Sequence, residues 1–399
     1  MTLTDDIARL LDEIPPRDAE EEACIQERWL RMSRPGAAEP DYLPLVVSGF
    51  DRNRPGERKT LMEHDRFPME EQFEDPQKML YEELVGLPPL RRYPGDGATI
   101  VMPKFGNAFL LSALGLEVRI LDGKLEPARS LTREEARRLE LPADIAQAGL
   151  IARAVRFIRY ARSALPAHIP VGLCFMMSPY DLAYLIRGGE LMIDMYEAPD
   201  DVHRLMAVCA DLFVRATLLL KREAGEPAGF HRYFHSIHAG GGLLCEDCCV
   251  MLSAGLHREF SIPYTRQALD AIGGGWLHFC GDGRHITDNY LQIPNLYGIQ
   301  YGQLELNGPV AETVRKHTAA GKALNCPLPR HEGETWADYF RRIVDRLRRR
   351  KYLCAQAGAF TDEETGGSLL DLWHEAQDCA LPKAAESQSS ESQSPMVKR

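Results

Sequence analysis

Short apolar runs recur along this 399-residue chain, separated by longer stretches whose apolar positions follow the 3.6-residue spacing of a helix. Candidate buried strands are Leu43–Val47, Ala98–Met102, Ile169–Phe175, Arg232–Ile237, Trp276–Phe279, Tyr297–Tyr301, Lys322–Cys326 and Tyr352–Gln356. The segment ending in VGLCF is apolar at successive positions, as a parallel strand buried on both faces must be. Between the runs lie helical patterns. The clearest spans Asp200–Glu223, where Val202, Leu205, Met206, Cys209, Leu212 and Phe213 share one face. Asp75, Ser178 and Ser253 are read as N-caps, the first two with Pro76 and Pro179 at the first helical turn. The helix from Ser253 carries Leu256 and Phe260 on one face, tolerates Pro263 and stops at Gly273–Gly275. A β-then-α rhythm of this kind describes an α/β barrel. Residues 1–40 read as a helical extension broken at Pro15–Pro16, residues 41–380 as the barrel, and residues 381–399, rich in Ser, Gln and Glu, as a disordered tail. The charged stretch Asp51–Arg66 is expected to loop over the site.

Composition narrows the class. With 45% apolar and 26% charged residues the chain has the balance of a soluble globular protein. A net charge of -11 argues against nucleic acid or an anionic membrane as partner, because both demand a basic surface. No window approaches the ~20 continuous apolar residues of a membrane span. The acidic, helical N-terminus is unlike a secretory signal. Ten cysteines without small-domain spacing fit a reducing, cytoplasmic setting.

A barrel gathers its chemistry at the carboxyl ends of its strands. Strand five ends in Trp276-Leu277-His278-Phe279-Cys280-Gly281-Asp282-Gly283. Side chains alternate along a strand, so His278 and Cys280 share a face, as half of a tetrahedral metal site or a nucleophile with its base. Asp282 and Arg284 follow, with Arg284 placed to grip a carboxylate or phosphate. The end of strand four supplies His235 and His238, then Glu246 and Asp247 as candidate proton-handling acids. Gln303, Glu305, Asn325, Cys326, Cys354 and Gln356 fall at the ends of the last three strands. Cys245 and Cys248 form a Cys-x-x-Cys with no partner pair at zinc-ribbon spacing, and they read as wall cysteines at a helix start.

The segment from Ser253 through "IPY" (Ile262-Pro263-Tyr264) to His278-Phe279-Cys280-Gly281 resembles the uroporphyrinogen decarboxylase superfamily, in which a helix containing "PY" leads into a "HxCG" strand end. Val101–Gly106 and Ser178–Ala183 match it too, and the likeness runs from about Asp41 to Phe360. The resemblance decides among ambiguous apolar runs and implies eight strands, a (β/α)8 barrel of the TIM type. His-x-Cys implies the corrinoid-dependent methyltransferase branch, with Zn²⁺ on His278, Cys280 and a third ligand. That branch takes its third ligand from a strand-eight cysteine, and here Ala357 stands in its place. Cys326, Cys354 or Glu305 remain as substitutes; Cys326 is preferred, since odd spacing turns Cys354 to the other face. The true decarboxylases carry an arginine-rich "RQAGRY" segment, where this chain has Leu43–Phe50 (LPLVVSGF), which argues against tetrapyrrole decarboxylation. No cobalamin-binding "DxHxxG" motif occurs, so the corrinoid is expected on a partner protein, with a small molecule as methyl donor or acceptor and a homodimer possible. The alternatives are a metal-independent decarboxylase or lyase acting on a small carboxylate, and a non-catalytic ligand-binding barrel.

Overall fold

The computed structural model describes residues 2–48, 66–87, 94–325, 330–358 and 369–381. Strand β1 (Leu45–Ser48) opens the barrel. Two short antiparallel pairs follow at intervals, β2 (Val118–Leu121) with β3 (Lys124–Pro127) and β4 (Phe230–Tyr233) with β5 (Ser236–Ala239). The remaining strands are β6 (Gly242–Cys245), β7 (Gly275–Phe279), β8 (Leu296–Tyr301), β9 (Ala323–Asn325) and β10 (Leu353–Gly358). They form one sheet in the order β1-β10-β9-β8-β7-β6, parallel at every pairing. Two extended segments complete the ring. Val101 bridges Val171 and Met177 bridges Cys245, both in parallel. Asp96 N–H donates to Leu45 O at 2.7 Å, which joins the first segment to β1. Eight positions therefore close into a (β/α)8-type barrel.

The fourth position is a correction. Arg232–Ile237 does not enter the ring: Phe234 takes φ 48° and folds the run into the β4–β5 hairpin, with Arg232 paired to Ile237. Gly242–Cys245 is the fourth barrel strand instead, paired in parallel with β7. The hairpin packs inside the strand ring. His238 stacks on Trp276 of β7 at 4.0 Å, and Ser236 Oγ accepts from Asn325 Nδ2 at 2.9 Å.

Along β7 the alternation separates two environments. Leu277 and Phe279 face the helices, with Phe279 against Tyr290 of the helix Thr287–Leu291. Trp276, His278 and Cys280 face inward. Trp276 pairs in register with Gly298 of β8, where a Cβ would lie 2.5 Å from the indole. Overpacking a fully buried ring in this way costs about 1–3 kcal/mol. Gly298→Ala is thus expected to lower the urea midpoint at unchanged slope, and an unaltered midpoint would show that the indole is free to move.

Local chemistry explains the helix starts. Asp75, Ser178 and Ser253 each accept a backbone N–H in the first turn. The helix after Ser253 contains a π turn at His257–Ser261, just ahead of Pro263. A wider turn accommodates a residue with no N–H to give. The helices Leu3–Asp12 and Ala19–Ser33 precede the ring, and the second buries Trp29, whose Nε1 donates to Asp96 O at 2.7 Å. No helix among the described residues is long and apolar enough to cross a membrane. Residues 51–65 of the expected loop, Cys326, and 382–399 of the expected tail lie outside the described residues.

Candidate active site

The ends of β6 and β7 meet because Cys245 and His278 are register partners. Glu246 N–H donates to His278 O at 2.8 Å, carrying the pairing one residue further. Cys245 and Asp247 then lie on the inner face with His278 and Cys280. Cys245 Sγ donates to Asp247 Oδ2 at 3.2 Å, and Cys280 N–H donates to Asp247 Oδ1 at 2.6 Å. Asp247 Oδ1 lies 3.7 Å from His278 Nε2, which is 3.5 Å from Cys280 Sγ. Ligand atoms of Cys245, Asp247 and His278 all fall within 4.8 Å of one another. The other ring nitrogen, His278 Nδ1, is buried without a hydrogen bond of normal length, and its neighbour there is Gln300, which favours the protonated ring.

The turn beyond β7 is held from β8. Gly281 N–H donates to Gln303 Oε1 at 2.7 Å. A Cβ at Gly302 would sit 2.5 Å from Cys280 Sγ, so glycine there leaves the sulfur its space. Burial pushes the Cys280 thiol up to about 11, with the Asp247 carboxylate adding to it. Burial pushes the Cys245 thiol well up too, again helped by Asp247. His278 is pushed down by burial, with Asp247 acting against it. Two protonated sulfurs and a neutral imidazole around one carboxylate suit a cation, whose charge would reverse the burial penalty and release the thiol protons. Sulfur and nitrogen donors with one oxygen fit Zn²⁺ better than a hard, all-oxygen ion.

The other candidates are distributed differently. Glu246 points away from the pocket: one residue from Cys245 and Asp247, its fully buried carboxyl lies in the barrel wall and accepts from Thr265 Oγ1 at 3.0 Å. His235 lies in the hairpin turn, its ring buried and unpartnered, and burial pushes it down to about 4. His238 sits deeper, stacked on Trp276 and 3.1 Å from Asn325 Nδ2, so it belongs to the packing beneath the site. Asp282 and Arg284 pair with each other at 2.6 Å on the exposed loop, and the guanidinium holds the Asp282 carboxyl down at about 2. Glu305 is exposed in the 3-10 turn Leu304–Asn307. Cys354 is buried in register with Asn325, three residues and one face from Ala357.

Cys245 is the chief correction. It is no wall cysteine, because moving the fourth strand to Gly242–Cys245 turns its thiol inward beside His278. Asp181 was also missed. Fully buried on the helix Pro179–Arg187, its Oδ1 accepts from Cys248 N at 3.0 Å and anchors the turn that carries Asp247. Burial and the neighbouring Asp247 carboxylate push it well up. Tyr233 reaches the site from the hairpin, and its phenol is raised by burial, with the Asp247 carboxylate adding to it.

Comparison with known proteins places the fold and the family. The chain superposes on a methyltransferase from Methanosarcina mazei with a TM-score of 0.59 at 14% identity, covering 88% of this chain and 98% of that one; at this identity the likeness speaks for the fold. It is 30% identical over 201 residues to a uroporphyrinogen decarboxylase of Xanthomonas euvesicatoria pv. vesicatoria, over 48% of this chain and 51% of that protein. A uroporphyrinogen decarboxylase of Delftia acidovorans is likewise 30% identical over 201 residues, covering 48% of each chain. The chain thus spans about half the length of the curated relatives it matches. The model of the uroporphyrinogen decarboxylase family matches residues 27–304. Barrel and sequence agree, and with most of its length inside that match the chain belongs to the uroporphyrinogen decarboxylase family.

Proposed function

We propose that this protein is a zinc-dependent methyltransferase that moves a methyl group between a corrinoid held on a separate protein and a small acceptor or donor. One observation carries the reading: Cys245, Asp247 and His278 converge within 4.8 Å at the barrel's inner face, with Cys280 Sγ 3.5 Å from the imidazole. Cys245, His278 and Asp247 would hold the metal with Cys280 beside the imidazole as the further sulfur donor, so Cys245 takes the place the resemblance reserved for a strand-eight cysteine. A metal bound there supplies a Lewis acid that makes a substrate thiol or similar group nucleophilic at neutral pH.

The chain's own residues do the rest. Asp247 accepts hydrogen bonds from the Cys280 N–H and the Cys245 thiol, which ties the two strand ends together. Its carboxylate is also the group best placed to receive a proton from the pocket. Gln303 fixes the Cys280 turn through Gly281. Phe175 stands edge-on to His278 at 6.3 Å and limits water on that side. The name of the curated relatives favours one second reading, a metal-free decarboxylase. That reading needs Arg284 to leave Asp282 for a substrate carboxylate.

The test compares zinc content and methyl transfer from methylcobalamin to a thiol in wild type, Cys245→Ser, His278→Ala and Cys280→Ala. Each variant is expected to lose one zinc equivalent and at least about 100-fold in transfer. Asp247→Asn, which keeps an acceptor for the Cys280 N–H, should weaken the metal by about 10–100-fold. Unchanged zinc in both cysteine variants would remove the metal and leave the decarboxylase reading standing.

A further inference from the structure

The segment Cys245-Glu246-Asp247-Cys248-Cys249 sends donors to both sides of the barrel wall. Cys245 and Asp247 go inward. Glu246 and Cys249 go outward, where His257 meets them, and ligand atoms of these three also lie within 4.8 Å of one another. All three residues have no exposed surface. The helix opposite presents His257, Ser261 and Thr265 at successive four-residue steps, a polar stripe buried where apolar side chains are the rule. The π turn His257–Ser261 falls on this stripe.

Several polar atoms aimed into this closed space lack partners. Glu246 Oε1 accepts from Ser261 Oγ and from Thr265 Oγ1, but its Oε2 has no partner. His257 Nε2 is likewise unpartnered. The Tyr290 hydroxyl makes no hydrogen bond of normal length but acts on the Glu246 carboxyl and the Cys249 thiol, its ring edge to face with His257 at 4.6 Å. Cys249 Sγ donates to Ser261 Oγ at 3.5 Å. The far ring nitrogen, His257 Nδ1, lies 3.0 Å from Asn289 Nδ2. A ligating histidine is ordinarily fixed from behind by such a side chain.

We infer that Glu246, Cys249 and His257 form a second, closed metal site in the barrel wall, taking a zinc-like cation, with Tyr290 beside the fourth position. One sulfur, one nitrogen and one oxygen donor suit zinc and exclude calcium or magnesium. Complete enclosure makes it a structural site, which ties the 3-10 turn Asp247–Met251 to the helix and so steadies Asp247. Coordination releases the Cys249 thiol proton. Asn289 Nδ2 also donates to Ala254 O at 2.9 Å, an orientation that leaves the His257 ring proton on Nε2. Loading through Nε2 therefore moves that proton to Nδ1 and turns the Asn289 amide to accept it, at the expense of the bond to Ala254 O.

The test counts zinc in the full chain purified with zinc present. Wild type is expected to hold two equivalents, Cys249→Ala and His257→Gln one each, Cys280→Ala one, and Cys249→Ala/Cys280→Ala none. A single wild-type equivalent lost in Cys249→Ala and kept in Cys280→Ala supports this site and sinks the inner one. A wild-type content unchanged in Cys249→Ala and His257→Gln, or a lone zinc lost with Cys280, overturns it, and the space then holds water alone. Should the variants not fold, wild type still decides. The enclosed equivalent stays bound under chelator until urea unfolds the chain; loss of all zinc without denaturant refutes the site.

Discussion

Acidified from pH 7, the metal-free chain is expected to lose its fold cooperatively between about pH 6 and pH 4, well above the range in which exposed carboxylates titrate. Burial pushes His238 and His257 down to about 3 and His235 and His317 down to about 4. It pushes His231 well down too. The unfolded chain binds protons on these rings from about pH 6.5 downward, while the folded chain does not. Their contribution to stability is therefore complete above about pH 6.5 and is lost as the pH falls toward the folded values. Three buried carboxyls, Asp181, Glu226 and Glu246, are raised by burial and act in the opposite sense, taking up protons first in the folded state. His278 and His374 are lowered by burial as well, so the rings outnumber the carboxyls and stability falls as the pH falls, by on the order of 1.4 kcal/mol per unit for each excess ring. Against a typical stability of about 5–15 kcal/mol, two or three units are decisive. Circular dichroism across an acid titration reads the midpoint directly, and a native signal persisting to about pH 3 would contradict it. His235→Gln should move the midpoint down by removing one of these rings.

The same rings show how far the sequence could be read. Trp276–Phe279 was legible because its alternation continues through Cys280, placing one apolar face toward the helices and one mixed face toward the barrel. The fourth strand was not. In Phe230–Ala239 both faces of a hairpin are buried within the ring, so its aromatic and histidine pattern imitates a barrel strand. Gly242–Cys245 is short and offers only two leucines as a signal. That single displacement hid Cys245, since the direction of its thiol follows only from the register with His278. It also left Glu246 undecided, because a residue at a strand end may turn either way, and only its bonds to Ser261 and Thr265 show that it turns outward. The Asp282–Arg284 pair was within reach: two opposite charges two residues apart on an exposed loop satisfy each other before any ligand arrives.

Glu226→Ala is expected to destabilise the protein by about 3–5 kcal/mol, the cost of leaving a buried cation without its partner. Lys221, near the end of the helix Pro199–Ala224, lies 2.8 Å from Glu226 Oε2 with both side chains almost wholly enclosed. Burial works against both charges, lowering the lysine and raising the glutamate, and their attraction restores part of that loss. The Arg232 guanidinium, 3.8 Å from Glu226 Oε1, and two backbone groups complete the balance. Lys221 Nζ donates to Phe230 O at 2.6 Å, and Arg232 N–H donates to Glu226 Oε1 at 2.7 Å. Those bonds grip the first strand of the hairpin that delivers Tyr233 to the pocket and His235 to its turn. Alanine therefore strips the Lys221 charge of its counterpart and frees the Arg232 N–H in one step, while glutamine keeps an acceptor for only one of the two donors and sets its amide N–H against the other, at an intermediate cost. The paired replacement Lys221→Met/Glu226→Leu removes the ion pair together but still leaves Phe230 O, the Arg232 N–H and the Arg232 guanidinium without their partners, so it should recover only part of the stability. Urea unfolding of the three variants measures the stabilities. If the pair serves to hold the hairpin, the double variant retains less of the proposed methyl transfer than its midpoint alone would suggest. Equal loss in the alanine and double variants would instead show that the two charges are not coupled.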